Sequence, residues 1–478
     1  MQLDHTVTVE EAVQVVALVG DLSMGQPTDG SLRAARLAER LALADGAGQG
    51  VCAHARLVTL LRWSGCTANA SGFSALLGDD VGGRDAMLTH TLPPGARMSF
   101  TSVAPLARIH CDVSGAIAQA IGLPNEVETG LRRVWEHYDG GGMPERLADQ
   151  DIPRLVYYVN LGSDLDILAR VHGLAEALAM IAARADRKYP APLVRLLAAH
   201  AEAWLEAVEA PSCPALVPAL DQPVPLSIVA DMIELKLPWL LGYSRSVASL
   251  AERAALLAGL GPEEQGCLAR AALLHGIGRA AVPNSVWQRD GKLGAADWEE
   301  VRLAPYWTAR AAVQIPSLRA EALLASHVYE RCDGSGYFRD LDAASLALPH
   351  RILAGAAAYA ALRMPRPWRS ACSASDAARA LTADAAAGRF DRQAVDAVLA
   401  AADGARSLVA AAPAKKLLSE RETAVLRRLS LGESNKEVAR ALEVSPSTVR
   451  THVESIFRKL GCSTRTAATL KGLTLGFL

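Results

Sequence analysis

The chain has 478 residues, of which 51% are hydrophobic and 21% charged, and its formal net charge is −2. This length exceeds what one ordinary hydrophobic core organises, so we expect two or three domains, and the composition excludes a largely disordered protein. No apolar run approaches the ~18 residues of a membrane span. The first residues, MQLDHTVTVEE, lack the layout of a secretory signal, and the eight cysteines include no C-x-x-C pair. We therefore expect a cytoplasmic protein without a disulfide framework.

The charge is unevenly distributed along the chain. Residues 415–478 carry 12 Lys and Arg against 6 Glu, a net charge of +6, which leaves −8 for the rest. A small basic module on an acidic body indicates a nucleic-acid partner for the C-terminal part alone. The low aromatic share of 5% and the abundance of Ala and Leu favour helices.

Two stretches have the composition of linkers. Residues 209–227 are rich in proline, and residues 403–416 are rich in alanine and lead into the basic C-terminal part. They predict three domains, at 1–208, 228–402 and 417–478.

The first two of these segments repeat each other. LAER occurs at 37–40 and again at 250–253, an offset of 213 residues. Further pairs fall into register: Gly65 with Gly278 at the same offset, and Glu136 with Glu330 and Asp139-Gly140 with Asp333-Gly334 at an offset of 194. Chance matching of Ala/Leu-rich helices would explain LAER alone, but several anchors in one register favour a duplication. The change of offset predicts 19 extra residues in the first copy, within 67–109.

Four stretches of the second copy are characteristic: LGYSRSVASLAERAALLAGLG, ALLHGIGRAAVP, ERCDGSGYF and AAAYAALRMPRPWR. They resemble the HD-GYP branch of the HD-domain phosphohydrolases, and the first copy resembles it in diluted form. The resemblance implies an all-helical fold. In that family several helices direct His and Asp side chains at a centre of two or three metal ions, which hydrolyses cyclic dinucleotides.

Most of the metal-ligand positions implied by this resemblance hold other residues. In the second copy they are Tyr243, Gly276, Ala304, Val328-Tyr329 and Ala357, with a stray His327, and His275 alone remains. In the first copy they are Gly30, Arg62-Trp63, Val134-Trp135 and Asn160, and His110 alone remains. A divalent metal needs three or four protein ligands or more. We therefore expect no metal, no cofactor, no catalytic residue and no enzymatic activity.

The replacements are largely aromatic, which indicates a small-molecule pocket where the metal centre would lie. The alternative is that these side chains fill the vacated space as core. The candidate pocket residues are Arg62, Trp63, His110, Trp135, Tyr243, His275 and Tyr329.

The C-terminal part predicts four short helices. Ser419 with Glu422 and Ser434 with Glu437 form S-x-x-E capping boxes, each of which opens a helix. A third helix begins after Ser445 and ends at Gly461, and its apolar stripe comprises Val449, Val453, Ile456, Phe457 and Leu460. A short helix, a tight turn and a longer helix with basic and hydroxyl side chains are typical of helix-turn-helix DNA readers.

This part closely resembles the LuxR-type C-terminal helix-turn-helix, through the motifs E-R-E, S-N-K-E-V-A, S-x-x-T-V-R-x-H and I-x-x-K-L. The resemblance implies that Lys436, Thr448, His452 and Lys459 meet DNA phosphates. It also implies that Ser447, Arg450, Thr451 and Glu454 approach base edges, with Arg458 on the same exposed face. A protein-interaction module with a charged face is the alternative.

The sequence thus predicts an all-α protein with two HD-domain-like lobes and a four-helix LuxR-type DNA-binding domain. We expect a transcription regulator that binds double-stranded DNA as a homodimer, with catalytically inactive lobes that act as a sensory or dimerisation body. A small-molecule effector or a partner protein would control it, and no membrane is involved. The competing interpretation is a metal-dependent cyclic-dinucleotide phosphodiesterase fused to a DNA-binding domain.

Overall fold

The computed structural model describes residues 5–93, 98–209, 218–405, 417–475 and 477–478. Within these ranges the chain forms 23 α-helices and two short strands, β1 (Thr6–Thr8) and β2 (Pro223–Pro225), which pair with each other. The predicted all-α class is therefore confirmed. Residues 210–217 and 406–416 of the predicted linkers lie outside the described residues, so the domain boundaries stay predictions. None of the described helices combines the length and the apolar character needed to cross a membrane.

Ten helices form the first lobe, which we define as residues 9–206. They are α1 (Val9–Ser23), α2 (Gly30–Ala44), α3 (Gln49–Leu61), α4 (Ala70–Leu77), α5 (Gly82–Leu88), α6 (Phe100–Ala120), α7 (Asn125–Arg132), α8 (Arg154–His172), α9 (Leu174–Ala182) and α10 (Ala191–Glu206).

Nine helices form the second lobe, which we define as residues 227–405. They are α11 (Ser227–Glu234), α12 (Tyr243–Leu257), α13 (Pro262–Leu274), α14 (Asn284–Trp287), α15 (Ala295–Gln314), α16 (Arg319–Ala325), α17 (Leu348–Arg363), α18 (Ala374–Ala386) and α19 (Arg392–Ala405). The tail, residues 417–478, contains α20 (Glu420–Ser430), α21 (Asn435–Ala441), α22 (Pro446–Leu460) and α23 (Arg465–Thr474). By Cα proximity the chain divides into two compact units, built mainly of Thr8–Val224 and of Pro225–Gly461.

The helices of the two lobes begin and end at equivalent residues, which confirms the predicted repeat. At offset 213, α2 and α3 match α12 and α13 at both ends. At offset 194, α6 and α15 end together, and α7 and α8 begin together with α16 and α17. The extra residues of the first lobe lie between α3 and α6, where α4 and α5 replace the single turn of helix α14.

One backbone contact is repeated in both lobes at a glycine just after α3 or α13. A Cβ atom added at Gly65 would lie 2.3 Å from the carbonyl oxygen of His110. A Cβ atom at Gly278 would lie 1.7 Å from the carbonyl oxygen of Ala304. Only glycine allows the backbone to pass so close to α6 or α15, and this accounts for the glycine pair in the sequence.

A buried glutamate holds the same loop in each lobe. The carboxylate of Glu136 accepts hydrogen bonds from the backbone N–H groups of Glu145 (2.7 Å) and Leu147 (3.0 Å). Glu330 accepts equivalent bonds from Arg339 (2.9 Å) and Leu341 (3.1 Å). The donors lie nine and eleven residues after the glutamate in both cases. The two Asp-Gly loops found in the sequence are therefore built on one plan.

Candidate ligand site and DNA-binding face

In the second lobe, two of the predicted pocket residues lie side by side at helix ends. His275 follows α13, and Tyr243 begins α12 directly after Gly242, whose φ of 81° glycine adopts without strain. The two rings are 5.3 Å apart between centroids in an edge-to-face arrangement, and both are almost fully buried. Nδ1 of His275 donates to the carbonyl oxygen of Ala272 at 2.5 Å. This bond fixes the ring and leaves Nε2 as an acceptor.

Arg279, which the sequence had not singled out, joins these residues. Its Nη2 donates to Nε2 of His275 (3.2 Å) and to the hydroxyl of Tyr329 (2.7 Å), and its guanidinium carbon lies 5.0 Å from the Tyr243 ring centroid. A Cβ atom added at Gly276 would lie 3.5 Å from Nη1 of Arg279. A cation thus stands beside the position where the HD-GYP resemblance implies an aspartate. Burial, together with the charge of Arg279, lowers the pKa of His275 to about 3.

A second guanidinium, that of Arg366, reaches the same tyrosine. Its carbon lies 5.2 Å from the Tyr243 ring centroid and 4.7 Å from that of Trp239. Burial lowers the pKa of Arg366 to about 10, and the neighbouring charge of Arg279 acts in the same direction. The Nη1 atoms of both arginines are buried without a hydrogen-bond partner among the described residues. Such donors are costly unless a ligand or water meets them.

Aromatic side chains surround the two arginines. The ring of Tyr329 stacks on that of Tyr337 at 5.0 Å, and Trp239 meets Trp368 edge to face at 5.8 Å. Trp368 is 49% exposed, so this side of the site is open to solvent. The hydroxyl of Tyr243 donates to the carbonyl oxygen of Ala357 at 3.0 Å.

One buried carboxylate, that of Glu234, balances the positive charge only in part. It accepts hydrogen bonds from the backbone N–H groups of Gly242 (2.7 Å) and Ser244 (2.6 Å). Burial raises the pKa of Glu234 to about 7. A site with two guanidinium groups and a half-protonated carboxyl group at neutral pH favours an anion.

The residues of the second lobe do not fit a metal centre of the HD-GYP kind. Among the described residues there is no group of three or more His, Cys, Asp or Glu side chains placed to hold a metal ion. The one histidine retained at the expected positions, His275, is already engaged by Ala272 and by the Arg279 cation. A metal ion at this histidine would meet a fixed positive charge.

The first lobe has different residues at the same positions. Arg62 stands where the second lobe has His275, and its Nη1 donates to the hydroxyl of Ser31 (3.0 Å) and to the carbonyl oxygen of Thr59 (2.6 Å). Its guanidinium carbon lies 4.7 Å from the ring centroid of Trp63. The carboxylate of Asp21 accepts from the backbone and the hydroxyl of Ser31 at 2.9 and 2.6 Å. Burial raises the pKa of Asp21 to about 7, although the Arg62 charge opposes this.

The other two pocket candidates of the first lobe form a separate pair. The rings of His110 and Trp135 are 5.2 Å apart, and Nδ1 of His110 lies 3.6 Å from the sulfur of Cys66. Burial lowers the pKa of His110 to about 3. Trp63 and Cys66 belong to one cluster of buried apolar side chains. Arg62 Nε, Trp63 Nε1 and His110 Nε2 are buried without a hydrogen-bond partner among the described residues, so the pocket and the core-filling alternative both stay predictions for the first lobe.

The helix register assigns one position differently from the sequence-based prediction. Because α8 and α17 begin at equivalent residues, the first-lobe residue equivalent to Ala357 is Ser163, and not Asn160 as the sequence predicts. The side chain of Asn160 instead donates to the carbonyl oxygen of Val134 at 3.0 Å.

In the tail, the predicted capping boxes open α20 and α21 with both reciprocal hydrogen bonds, and Ser445 caps α22. Gly461 ends α22 in the left-handed conformation with φ of 60°. Of the predicted apolar stripe, Val449, Val453, Ile456 and Leu460 are buried, and Phe457 is half-buried. The candidate DNA-contacting residues lie on the solvent side: Lys436, Ser447, Thr448, Arg450, Thr451, Glu454, Arg458 and Lys459 are exposed, and His452 is half-buried.

Two of the basic side chains, those of Arg450 and Lys459, form ion pairs within the tail. Nε of Arg450 donates to the carboxylate of Glu454 at 3.0 Å, and both groups are exposed. Nζ of Lys459 donates to the buried Glu422 at 2.7 Å. Burial would raise the pKa of Glu422, but hydrogen bonds from Lys459, from the backbone N–H of Ser419 and from the hydroxyl of Ser455 lower it to about 2. A phosphate contact by Lys459 stays a prediction, and it would have to share the ammonium with Glu422.

Comparison with known families and proteins follows the same division. Residues 227–394 match the HD domain, and residues 416–471 match the bacterial regulatory proteins of the luxR family. The chain is 27% identical over 280 residues to the 3'3'-cGAMP-specific phosphodiesterase 3 of Vibrio cholerae. The aligned residues make up 56% of this chain and 61% of that protein. Its C-terminal part is 46% identical over 63 residues to the probable transcriptional regulatory protein NarL of Mycobacterium tuberculosis, 13% of this chain and 29% of that protein.

One solved structure shares the fold of most of this chain. The crystal structure of a cyclic GMP-AMP-specific phosphodiesterase of V. cholerae superposes with a TM-score of 0.60 at 20% identity, covering 83% of this chain and 98% of that one. The chain spans less than two thirds of the length of each of the curated relatives described above.

These relatives contradict one prediction made from the sequence. The absence of the expected metal ligands led us to predict that the chain is not an enzyme. Three similar proteins are phosphodiesterases by name, and so is the solved structure, so these similarities contradict that prediction and point to enzymatic activity. The residues at the metal-ligand positions nevertheless differ from those that the HD-GYP resemblance implies. Residues 227–394 thus form an HD domain and residues 416–471 a LuxR-family DNA-binding domain, joined in one chain.

Proposed function

We propose that this chain is a sequence-specific transcription regulator whose second lobe binds a cyclic dinucleotide and thereby controls DNA binding by the tail. The LuxR-family domain supplies the output, and the arginine-aromatic site supplies the input. The observation that carries the input is a pair of guanidinium groups, from the buried Arg279 and the half-buried Arg366, which both lie over Tyr243 and both have a buried Nη1 atom without a hydrogen-bond partner among the described residues.

Guanidinium groups suit the phosphodiester links of a cyclic dinucleotide. Their planar forks form paired, charge-assisted hydrogen bonds with phosphate oxygens. In the second lobe the free Nη1 atoms of Arg279 and Arg366 would meet such oxygens. The net positive charge around Tyr243 favours the anion further.

The tryptophans beside Arg366 suit the bases of the same ligand. Trp239 and Trp368 meet edge to face, and the exposed half of Trp368 leaves a face for stacking. Base stacking on an aromatic side chain contributes about 1–3 kcal/mol per base. A ligand with both phosphates and bases therefore fits this site better than inorganic phosphate does.

Calorimetric titration with 3'3'-cGAMP tests the input. We expect the full chain to bind it, and Arg279→Met or Arg366→Met to weaken binding at least tenfold, since each removes charge-assisted hydrogen bonds. Arg302→Met is the matched control, because Arg302 is exposed on α15, where it pairs with the exposed Glu299 at 3.6 Å. No binding by the wild-type chain, or equal weakening by the control, would show that the second lobe is not a cyclic-dinucleotide site.

A second candidate function, hydrolysis of the same ligand, is favoured by the names of the relatives. Incubation of the purified chain with 3'3'-cGAMP and separation of the products distinguishes binding from hydrolysis. Turnover that His275→Ala abolishes would assign the second lobe an enzymatic role, whereas intact ligand recovered from a saturated complex would assign it a sensing role.

For the output, we propose that the chain binds inverted half-sites as a two-fold dimer, and footprinting on the selected operator tests this. Arg450 lies exposed near the start of α22, where its fork can span the O6 and N7 atoms of a guanine. Arg450→Ala should cost ~1–3 kcal/mol on the operator and much less on random DNA. Lys436→Ala should weaken both kinds of DNA alike and lower the salt slope by ~1. Equal weakening by Arg450→Ala on both DNAs would make Arg450 a phosphate contact.

A further inference from the structure

The first lobe holds six buried polar side-chain atoms that have no hydrogen-bond partner among the described residues. They come from two short segments, the end of α3 with the turn after it and the middle of α6. The six atoms are Nε of Arg62, Nε1 of Trp63, Oγ of Ser64, Oγ1 of Thr67, Nε2 of His110 and Oγ of Ser114. We name these six side chains the polar group. Each of the six residues is at most 8% exposed, so bulk solvent does not satisfy them.

The two segments that carry the polar group pack against each other. The backbone at Gly65 lies on that of His110, and the sulfur of Cys66 lies 3.6 Å from Nδ1 of the same histidine. Ser114 follows His110 by one turn of α6 and therefore lies on the same face of the helix. The ring of Trp135 is 5.2 Å from that of His110, and Trp135 is half-buried. One aromatic side chain beside the polar group thus reaches solvent.

The second lobe shows that the shared fold does not require these polar side chains. Thr67 corresponds to Ala280 at the offset of 213 residues. His110 corresponds to Ala304 at the offset of 194, and both alanines are buried. A buried polar atom without a partner lowers the stability of a fold unless a ligand or water meets it. The first lobe therefore has costly groups at positions where its own duplicate is apolar, which is typical of a functional site.

Ser114 differs from its equivalent in the same way. In the second lobe the hydroxyl of Thr308 accepts a hydrogen bond from the backbone N–H of Gly278 at 3.1 Å and donates to the carbonyl oxygen of Ala304 at 3.2 Å. The hydroxyl of Ser114 has no partner among the described residues. It is therefore available to a ligand, whereas that of Thr308 serves the fold.

The positive charge of Arg62 has acidic neighbours. Burial lowers the pKa of its guanidinium, and the charges of Asp21 and Asp166 oppose this change. This arrangement differs from that of the second lobe, where positive charge is in excess around Tyr243.

The surroundings of His110 lead to the same conclusion about charge. Burial first, and the charge of Arg84 next, lower the pKa of His110 to about 3, so its ring is neutral at pH 7. The guanidinium of Arg84 itself lies 3.9 Å from the carboxylate of Asp80. A neutral ring and guanidinium groups with acidic neighbours favour an uncharged ligand over an anion.

We propose that the polar group binds an uncharged heteroaromatic molecule of the nucleobase class, at a site independent of the second lobe. The edge of such a ring carries several donors and acceptors, and the hydroxyl groups of Ser64, Thr67 and Ser114 can meet either kind. The indole N–H of Trp63 supplies a further donor, and the ring of Trp135 supplies a surface for stacking. An apolar ligand would leave these atoms unpaired.

Adenosine and guanosine are the probes, each titrated calorimetrically into the full chain at pH 7.5. We expect at least one of them to bind, with one molecule per chain. Thr67→Val and Ser114→Ala should each weaken this binding at least fivefold, because each removes a hydroxyl that only the ligand meets. The melting temperature of the free chain should not fall in Thr67→Val, since valine keeps the shape of threonine and removes a polar atom without a partner.

Thr59→Val is the matched control. The hydroxyl of Thr59 is equally buried, but it donates to the carbonyl oxygen of Ala55 at 2.7 Å. Its loss should lower the melting temperature and change nucleoside affinity less than twofold. Arg366→Met should also change nucleoside affinity less than twofold, which separates this site from that of the second lobe.

Each variant's melting temperature shows whether it is folded, and if only one of Thr67→Val and Ser114→Ala is folded, that variant decides. The proposal is overturned if neither nucleoside binds, in which case internal water alone meets the polar group. It is also overturned if a folded Thr67→Val or Ser114→Ala variant binds as the wild type does, or if Thr59→Val or Arg366→Met weakens binding equally. The cyclic-dinucleotide proposal stands in each case, because it depends on the titration with 3'3'-cGAMP.

Discussion

The two lobes share a backbone plan and differ in the chemistry that it presents. Helices begin and end at equivalent residues, and each lobe keeps one glycine contact and one glutamate-held loop. The positions that surround these features have diverged: a buried arginine and tryptophan in the first lobe, and a histidine and tyrosine linked by Arg279 in the second. The comparison teaches that this fold depends on close backbone approach and buried backbone hydrogen bonds, and not on the residues at its centre.

The divergence also changes the surroundings of the arginines in the two lobes. In the second lobe the arginines have unpaired donors and an exposed tryptophan beside them. In the first lobe, Arg62 donates to Ser31 and Thr59 but its Nε is also buried without a partner among the described residues, and Trp63 packs in an apolar cluster. The solvent-exposed tryptophan, and not the unpartnered guanidinium nitrogen, therefore distinguishes the second lobe.

The glycine contacts should give the largest effects on stability. Gly65→Ala and Gly278→Ala each bring a Cβ atom within 2.3 Å of a backbone carbonyl oxygen, which no side-chain movement relieves. We expect each to lower the free energy of unfolding by about 3 kcal/mol or more, measured by urea denaturation. Gly50→Ala, inside α3 with no atom within 4 Å of the added Cβ, should be neutral or stabilise by up to about 1 kcal/mol. If Gly65→Ala were tolerated and Gly278→Ala were not, the two lobes would not share this backbone contact.

The glutamate-held loops come next. Glu136→Ala and Glu330→Ala each leave two backbone N–H groups without their acceptor. Each should cost about 2 kcal/mol, because an unsatisfied buried donor costs about 1–3 kcal/mol and water replaces part of the loss. Glu299→Ala, at an exposed site on α15, should stay within about 0.5 kcal/mol of the wild type. Unequal losses in the two lobes would show that one loop has another support.

Much of this plan could be predicted from the sequence, because its causes are local or repeated. Some features can be recognised directly in the amino-acid sequence: the glycines at 65 and 278 and the capping boxes at Ser419 and Ser434. The offsets of 213 and 194 then placed most helices of one lobe on those of the other. The exposed face of α22 followed from its helical spacing.

The remaining features depend on contacts between distant residues. Arg279 is one turn after His275, but its bond to Tyr329 crosses 50 positions of sequence. The residues of the ion pair between Lys459 and Glu422 are 37 positions apart in the sequence. The sequence therefore predicts Lys459 only as an exposed charge and does not indicate this partner. The prediction that the chain is not an enzyme was wrong for another reason: counting ligands is not a test of activity, and the kinship of the HD region points the other way.

The buried carboxyl groups at equivalent positions make the comparison sensitive to pH. Burial raises the pKa values of Asp21 and Glu234 to about 7, so the folded chain holds protons that the unfolded chain releases above its ordinary carboxyl pKa. Their contribution to stability is complete below about pH 4 and is lost as the pH rises to about 7. The slope is at most about 1.4 kcal/mol per pH unit for each group. Asp21→Asn and Glu234→Gln should each remove the contribution of one carboxyl group to this slope of the free energy of unfolding with pH, measured by urea denaturation from pH 4 to 8. An unchanged slope in either variant would show that its carboxyl group titrates normally.

The smallest expected effect on stability concerns Tyr243, because the equivalent residue of the first lobe is Gly30. Tyr243→Phe keeps the ring between His275 and the arginines but removes the hydroxyl that donates to Ala357. It should cost about 1 kcal/mol, the usual net contribution of one hydrogen bond. At the equivalent Gly30, an added Cβ would lie 3.6 Å from its nearest neighbours, an ordinary contact, so Gly30→Ala should change stability by less than about 0.5 kcal/mol. If Tyr243→Phe were neutral in stability yet abolished 3'3'-cGAMP binding, the hydroxyl would serve the ligand and not the fold. If it lowered stability and left binding intact, Tyr243 would hold α12 on α17, and the arginines alone would carry the anion.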